Sequence, residues 1–149
     1  MKYIISTIGK TKNKQEDLIT FKYFKRIRNI ELRQYEVKLN DEQKKIEEEG
    51  LKLIKSTPKN GKLILLDEHG ENLTSPELAK TIVSWRDDNI SGVNFAIGGA
   101  FGHGEEIKKT ADKIIAFGKL TWPHQMVKMM IAEQIYRIET IIQGHPYHK

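Results

Sequence analysis

Short apolar runs alternate with longer amphipathic stretches along the whole chain. Tyr3–Ile8 reads as a buried strand, and Thr11–Arg28 as a helix with Leu18, Phe21, Phe24 and Ile27 along one face. Ile30–Lys38 alternates well enough to predict a second strand. Asp41–Ser56 is charged and helical, with Asp41 as its cap and Ile46, Leu51, Leu53 and Ile54 as its apolar set. After the turn residues Pro58-Lys-Asn-Gly61, the run Lys62–Asp67 is continuously apolar, as expected of a strand covered on both faces. Thr74-Ser-Pro-Glu77 opens a helix, with Ser75 predicted as the cap and Pro76 at the first helical position. Val93–Ile97 predicts another buried strand, Glu105–Thr110 a short helix, Lys113–Phe117 a strand, and Pro123–Gln143 the longest helix, stopped by Gly144 and Pro146.

Five strand-then-helix alternations argue for an α/β fold, a mainly parallel sheet with helices on both faces, in one domain spanning 1–149. The 149 residues suffice for one sizeable core, and no repeat or linker interrupts them. No apolar run approaches the roughly 20 residues that cross a bilayer, so no membrane partner is expected. The opening MKYIISTIGK reads as a first strand rather than a leader, its apolar stretch being too short. The absence of cysteine excludes disulfides and thiolate chemistry and suits a cytoplasmic location. The five histidines lack metal-ligand spacing, so no metal is expected.

Charge changes this picture in one respect. Residues 1–62 hold 16 Lys/Arg against 9 Asp/Glu, whereas residues 63–149 hold 9 against 11. A basic half suits an anionic partner such as RNA, through release of counterions from phosphates, and suits equally a set of solvated Lys-rich helices.

The sharpest local feature is the glycine cluster Gly98-Gly-Ala-Phe-Gly-His-Gly104, directly after a buried strand. Glycine lets backbone approach a ligand closely, and parallel sheets bind ligands outside the carboxyl ends of their strands. The cluster is neither a dinucleotide fingerprint, since Ile107 stands where the third glycine belongs, nor a P-loop, since Glu105 and Glu106 follow its last glycine. A second loop, Phe117-Gly-Lys-Leu-Thr-Trp-Pro-His124, also follows a strand. With Leu65-Leu-Asp67, three strand ends are expected to converge on an apolar pocket lined by backbone, suited to a cationic adenine-bearing cofactor such as S-adenosylmethionine.

The blocks Leu65-Leu-Asp67, Ala96-Ile-Gly-Gly99, Leu120-Thr-Trp-Pro-His124 and His145-Pro-Tyr-His-Lys149 together resemble the large-subunit ribosomal RNA methyltransferase H family along essentially the whole chain. That resemblance implies a SPOUT fold with a C-terminal trefoil knot, a homodimer, S-adenosylmethionine as cofactor, and methylation of N3 of a pseudouridine in large-subunit ribosomal RNA of the ribosome. It assigns cofactor contacts to Leu66, Gly98, Phe117, Gly118, Lys119, Leu120, Thr121 and Trp122. The chain departs from the family at Ala100-Phe101, where Pro-Glu is common, and at Trp122, where Leu is common.

For chemistry, the candidates are Glu133 and Arg137 on the last helix and His148 in the tail. Glu133 and Arg137, at i and i+4, share a face, and either pair as a structural salt bridge or serve the site. His148 carries an imidazole that can accept a proton. The tail holds no large aliphatic residue, so it is expected to contribute little to the fold and to reach the partner's cofactor. His124 is expected to be structural, near the helix cap; Trp85 and the methionine stripe are expected in the core. Apolar residues cover more than one face between Met126 and Ile142, which predicts a partner for the second face and hence a homodimer. Two rivals remain at this stage: a non-enzymatic ribosome- or RNA-binding protein, and a nucleotide-dependent α/β enzyme.

Overall fold

The computed structural model describes residues 1–10 and 14–149. Five strands, β1 (Lys2–Ile8), β2 (Ile30–Tyr35), β3 (Gly61–Asn72), β4 (Gly92–Ile97) and β5 (Lys113–Ala116), form one sheet in the order β2-β1-β4-β3-β5. Every pairing is parallel. The helices α1 (Lys14–Phe24), α2 (Glu42–Lys55), α3 (Ser75–Asp87), α4 (Glu105–Thr110) and α5 (His124–Ile142) cover both faces. The predicted start of α1 at Thr11 lies outside the described residues.

Side-chain alternation on β3 divides the interior in two. Ile64 and Leu66 point into a core shared with α3 and α5, while Leu63 and Leu65 point into a smaller core shared with α2 and α4. All four are buried, which is why this run shows no polar alternation. The larger core gathers Tyr3, Phe95, Ile82, Ile131, Ile135 and Ile138, each contributing about 1.5–3 kcal/mol by leaving water. In the sheet centre Asn94 accepts from Ser6 at 2.7 Å and donates to the Leu53 carbonyl at 2.9 Å, tying α2 to β4 without an unpaired polar group.

Several boundaries differ from expectation for identifiable reasons. The cap of α3 is Thr74, not Ser75: the Thr74 hydroxyl accepts from Glu77 N at 3.3 Å, and the Glu77 carboxylate accepts from Thr74 N at 2.7 Å, a reciprocal capping box. β3 runs past Asp67 to Asn72 because, after an irregularity between Leu66 and Glu71, β5 supplies partners for Glu71 and Asn72. Gly70 is obligatory there, since a Cβ would lie 2.6 Å from the Ile115 carbonyl carbon.

α1 presents a different face from the one predicted. Leu18 and Phe21 point outward, 70% and 43% exposed, while Thr20 and Ile27 are buried. The reason is an ion pair: Lys128 of α5, only 1% exposed, is bonded to Asp17 of α1 and sets the helix's rotation. The methionines of α5 are half-buried rather than core, whereas Trp85, also half-buried, packs against the larger core as expected.

Because Lys128 is enclosed, its loss opens a hole as well as breaking the pair. Lys128→Ala is expected to cost about 3 kcal/mol in urea unfolding, and Lys128→Met, which keeps the volume, distinctly less. Equal midpoints for Lys128→Ala and the parent chain would show that this pair does not hold α1 in place.

Candidate functional site

Sheet register builds the site. Leu66 pairs with Ile97 on one side and Ile115 on the other, so a single row of residues crosses β4 and β5 near their carboxyl ends and β3 at the start of its irregularity. Just beyond this row β3 breaks register from Asp67, and the chain leaves the sheet at Gly98 and Phe117. The break in β3 and these two exits, with the loop leading into α5, line a cavity of about 460 Å³. That size is in the range of small-molecule sites.

Of the residues assigned to a cofactor, Leu66, Gly98, Phe117, Leu120, Thr121 and Trp122 line this cavity. Gly118 and Lys119 do not. Gly118 supports the loop instead: its φ is +82°, and its N–H donates to the Asn72 side chain at 2.9 Å. Trp122, the departure from the family pattern, donates its indole N–H to the Phe117 carbonyl at 2.9 Å and closes the loop on itself. Thr121 donates to the Glu68 carboxylate, linking the loop after β5 to the bend in β3.

The glycine turn is equally specific. Gly102 donates its N–H to the Gly99 carbonyl at 3.0 Å and has a φ of +75°. A Cβ on Gly98 would lie 3.1 Å from His103 Cε1 and 3.2 Å from Gly102 backbone, and one on Gly99 would lie 2.8 Å from the Glu49 carboxylate. Both glycines therefore serve the packing of the turn itself as well as the cavity surface. Glu49 is 4% exposed and burial raises its pKa. Phe101 stands 55% exposed on the cavity wall.

Sequence reasoning missed several lining groups. Glu68, His69, Lys108 and His124 face the cavity beside the expected Asp67, as does His103, which sits inside the glycine cluster. His124 begins α5 but does not cap it; Pro123 occupies the cap position and makes no side-chain cap bond. The signal for His103 and His124 was their place within the two loops, rather than metal-like spacing. Among the described residues no group of three or more His, Asp or Glu is arranged to hold a metal.

Glu133, Arg137 and His148 do not line this cavity. They form a separate cluster. Arg137 donates to Glu133 Oε1 through Nη2 at 2.6 Å and Nε at 3.0 Å. Contrary to expectation, the tail is anchored in its own chain. Pro146–His148 form a 3₁₀ turn in which Tyr147 packs edge-on against Tyr136, with centroids 4.7 Å apart. The Tyr147 hydroxyl donates to Glu133 at 3.2 Å, and the Arg137 guanidinium lies 5.2 Å from the Tyr147 ring centroid. Desolvation, reinforced by Tyr23 and Glu133, raises the Tyr147 pKa far above the ordinary phenol value. The anchor is aromatic, which a search for aliphatic residues overlooks. His148 Nδ1 is enclosed there without a hydrogen-bond partner among the described residues.

Comparison with known proteins places this geometry in a family. The sequence matches the family described as "Predicted SPOUT methyltransferase" over residues 1–148. It is 35% identical to a protein of Nitrobacter hamburgensis named ribosomal RNA large subunit methyltransferase H, the alignment covering 100% of this chain and 99% of that one. A protein of the same name from Paramagnetospirillum magneticum is 37% identical over 100% of this chain and 99% of its own length. A third, from Chelativorans, reaches 50% identity over 68% of this chain and 58% of its own. With an all-parallel sheet, three strand ends around one cavity and a match along nearly its whole length, this chain belongs to the SPOUT methyltransferase family.

Proposed function

We propose that this chain methylates N3 of a pseudouridine in large-subunit ribosomal RNA, using S-adenosylmethionine. The observation that carries the reading is the convergence of the irregular stretch of β3 and the loops after β4 and β5 on one cavity, in a member of this methyltransferase family. The full-length relatives named for ribosomal RNA methylation support the substrate, as does the basic first half of the chain.

The residues present fit the cofactor. The cavity is walled by Leu66, Ile97, Ile115, Phe117 and Val127, which suit an adenine ring, and by backbone at Gly98. Asp67 and Glu68 at its edge complement a positive charge, and among the described residues Lys108 is the one Lys or Arg that lines it, fewer than a polyphosphate calls for. When bound, S-adenosylmethionine supplies an electrophilic methyl group on a sulfonium. The chain's own task is to hold the cofactor and the target ring in line, to exclude water, and to accept the N3 proton as the N–C bond forms.

The acid/base candidates lie away from the cavity of their own chain, and this favours a composite site. In the proposed homodimer, α5 and the tail of one copy complete the cavity of the other. Apolar surface is available for such pairing: Leu18, Ile19 and Phe21 on α1 are exposed, and Met126, Met129 and Met130 on α5 are half-buried. The C-terminal trefoil knot belongs to the same proposal, as do cofactor contacts from Lys119 and Gly118 backbone.

Three outcomes are expected. Gly98→Val, by driving a side chain into His103 and the Gly102 backbone, should reduce S-adenosylmethionine affinity at least about tenfold, or about 1.4 kcal/mol, while the far-UV circular dichroism stays that of a folded chain. Unchanged affinity in calorimetry would detach Gly98 from the site. Light scattering at micromolar concentration should give twice the mass of the chain, and a monomer would refute the composite site. Deleting residues 145–149 should leave cofactor affinity within about twofold but abolish tritiated-methyl transfer to ribosomes lacking the modification, and His148→Ala should slow transfer at least about tenfold. Full activity of the truncated chain would remove the tail from the chemistry, and absence of transfer by the intact chain would overturn the proposed function.

A further inference from the structure

His103 occupies an unusual position, inside the glycine turn yet bonded to a different strand. Its side chain is buried, 9% exposed, and its Nε2 lies 3.1 Å from the carbonyl oxygen of Leu66. A carbonyl only accepts, so Nε2 carries the hydrogen in this bond. A neutral imidazole in that tautomer leaves Nδ1 as an acceptor. Cε1, between the two nitrogens, is the atom that a Cβ on Gly98 would meet at 3.1 Å. The ring thus spans from the end of β3 to the turn after β4, touching two of the three cavity walls, and it lines the cavity itself.

We propose that His103 is a positioning and discriminating residue of the cofactor cavity: its neutral ring holds the Leu66 and Gly98 walls in place, and its protonation expels the cationic methyl donor in preference to the neutral product left after methyl transfer. The proposal rests on the reading of this cavity as the S-adenosylmethionine site. The donor carries a sulfonium charge that its demethylated product, a thioether, lacks. A second positive charge on the cavity wall therefore penalises the donor and leaves the product nearly unaffected, and because the His103 ring is buried that penalty is screened less than at the surface.

The surrounding groups set the direction of the response. Burial is the largest influence on His103 and lowers its pKa below the ordinary 6.5. The Leu66 carbonyl and the Asp67 carboxylate at the end of β3 oppose that shift, while Lys108 on α4 and His124 at the start of α5 add to it. Glu68 and His69 face the same cavity from the bend in β3. The ring is therefore neutral above pH 6.5, and donor affinity is full there. As pH falls through the lowered pKa, protonation competes with the donor and affinity declines. By linkage, donor binding must lower the His103 pKa further, by as much as protonation weakens the donor.

Calorimetry on the full chain, with S-adenosylmethionine and S-adenosylhomocysteine as separate ligands between about pH 5.5 and 8, tests this. Donor affinity should fall toward the acid end of the range, and product affinity should change less than about twofold. His103→Gln, whose amide can still donate to Leu66, should retain donor affinity at pH 8 and lose the excess pH dependence. His103→Leu should lose affinity at every pH. Equal pH slopes for donor and product, or a donor-specific slope that survives in His103→Gln, would overturn the inference while leaving the cofactor reading intact. Failure of the wild-type chain to bind either ligand at any pH would instead overturn the cofactor reading and this inference with it. Should the variants misfold, NMR titration of the His103 Cε1 proton in the wild-type chain decides. Its pKa should drop on adding donor and move less on adding product, and a pKa indifferent to both refutes the proposal.

Discussion

The pairing of β3 with β4 on one side and β5 on the other is the constraint from which the rest of the site follows. Because Leu66 is level with both Ile97 and Ile115, the irregular stretch of β3 and the loops after β4 and β5 start from one line across the sheet and meet above it. That pairing depends in turn on the burial of Leu63, Ile64, Leu65 and Leu66 on two faces, which holds β3 in the interior of the sheet. A slip of one residue would exchange the two cores and move every loop origin by one position.

Close backbone approaches then convert the loops into walls. Gly70 lies against β5 where no side chain fits, and Gly98 and Gly99 pack so closely on His103 and Glu49 that a side chain at either would displace its neighbour. Polar side chains complete the walls by bonding across strands: His103 to the Leu66 carbonyl, Asn72 to the Gly118 N–H, and Thr121 to Glu68. Each bond joins loops that are distant in sequence. Pre-organisation of this kind lets a ligand bind without ordering the loops at its own expense.

The opposite side of α5 obeys a different logic. Its inward residues Ile131, Ala132, Ile135 and Ile138 are completely buried against the sheet, whereas Lys128 is buried against α1 through Asp17. That ion pair turns Leu18 and Phe21 outward and leaves apolar surface uncovered in the single chain. At its far end α5 carries Glu133 and Arg137 into contact with Tyr147, so that the last turn is part of the folded structure rather than a loose end. The separation of this cluster from the cavity is what motivates the proposed two-copy site.

The strands and helices were legible in the sequence because periodicity is local. A run such as Lys62–Asp67 can be satisfied only by burial on two faces, and Gly144 with Pro146 ends a helix whatever surrounds it. Leu66, Gly98, Phe117 and Leu120–Trp122 were also recognisable as cavity lining, since buried strands followed by glycine turns announce themselves in the chain and the family motifs fall on these positions, whereas Gly118 and Lys119 of the same motif lie off the cavity. Local pattern could not say that Leu18 and Phe21 face outward, because that depends on Asp17 meeting a lysine 111 positions away. Nor could it show that Tyr147 anchors the tail or that His103 reaches Leu66, 37 residues distant. Hydrophobic order along the chain determined which segments are strands and helices; only the packing of β3 between its neighbours decided which side chains meet, because those contacts join residues that no periodicity connects.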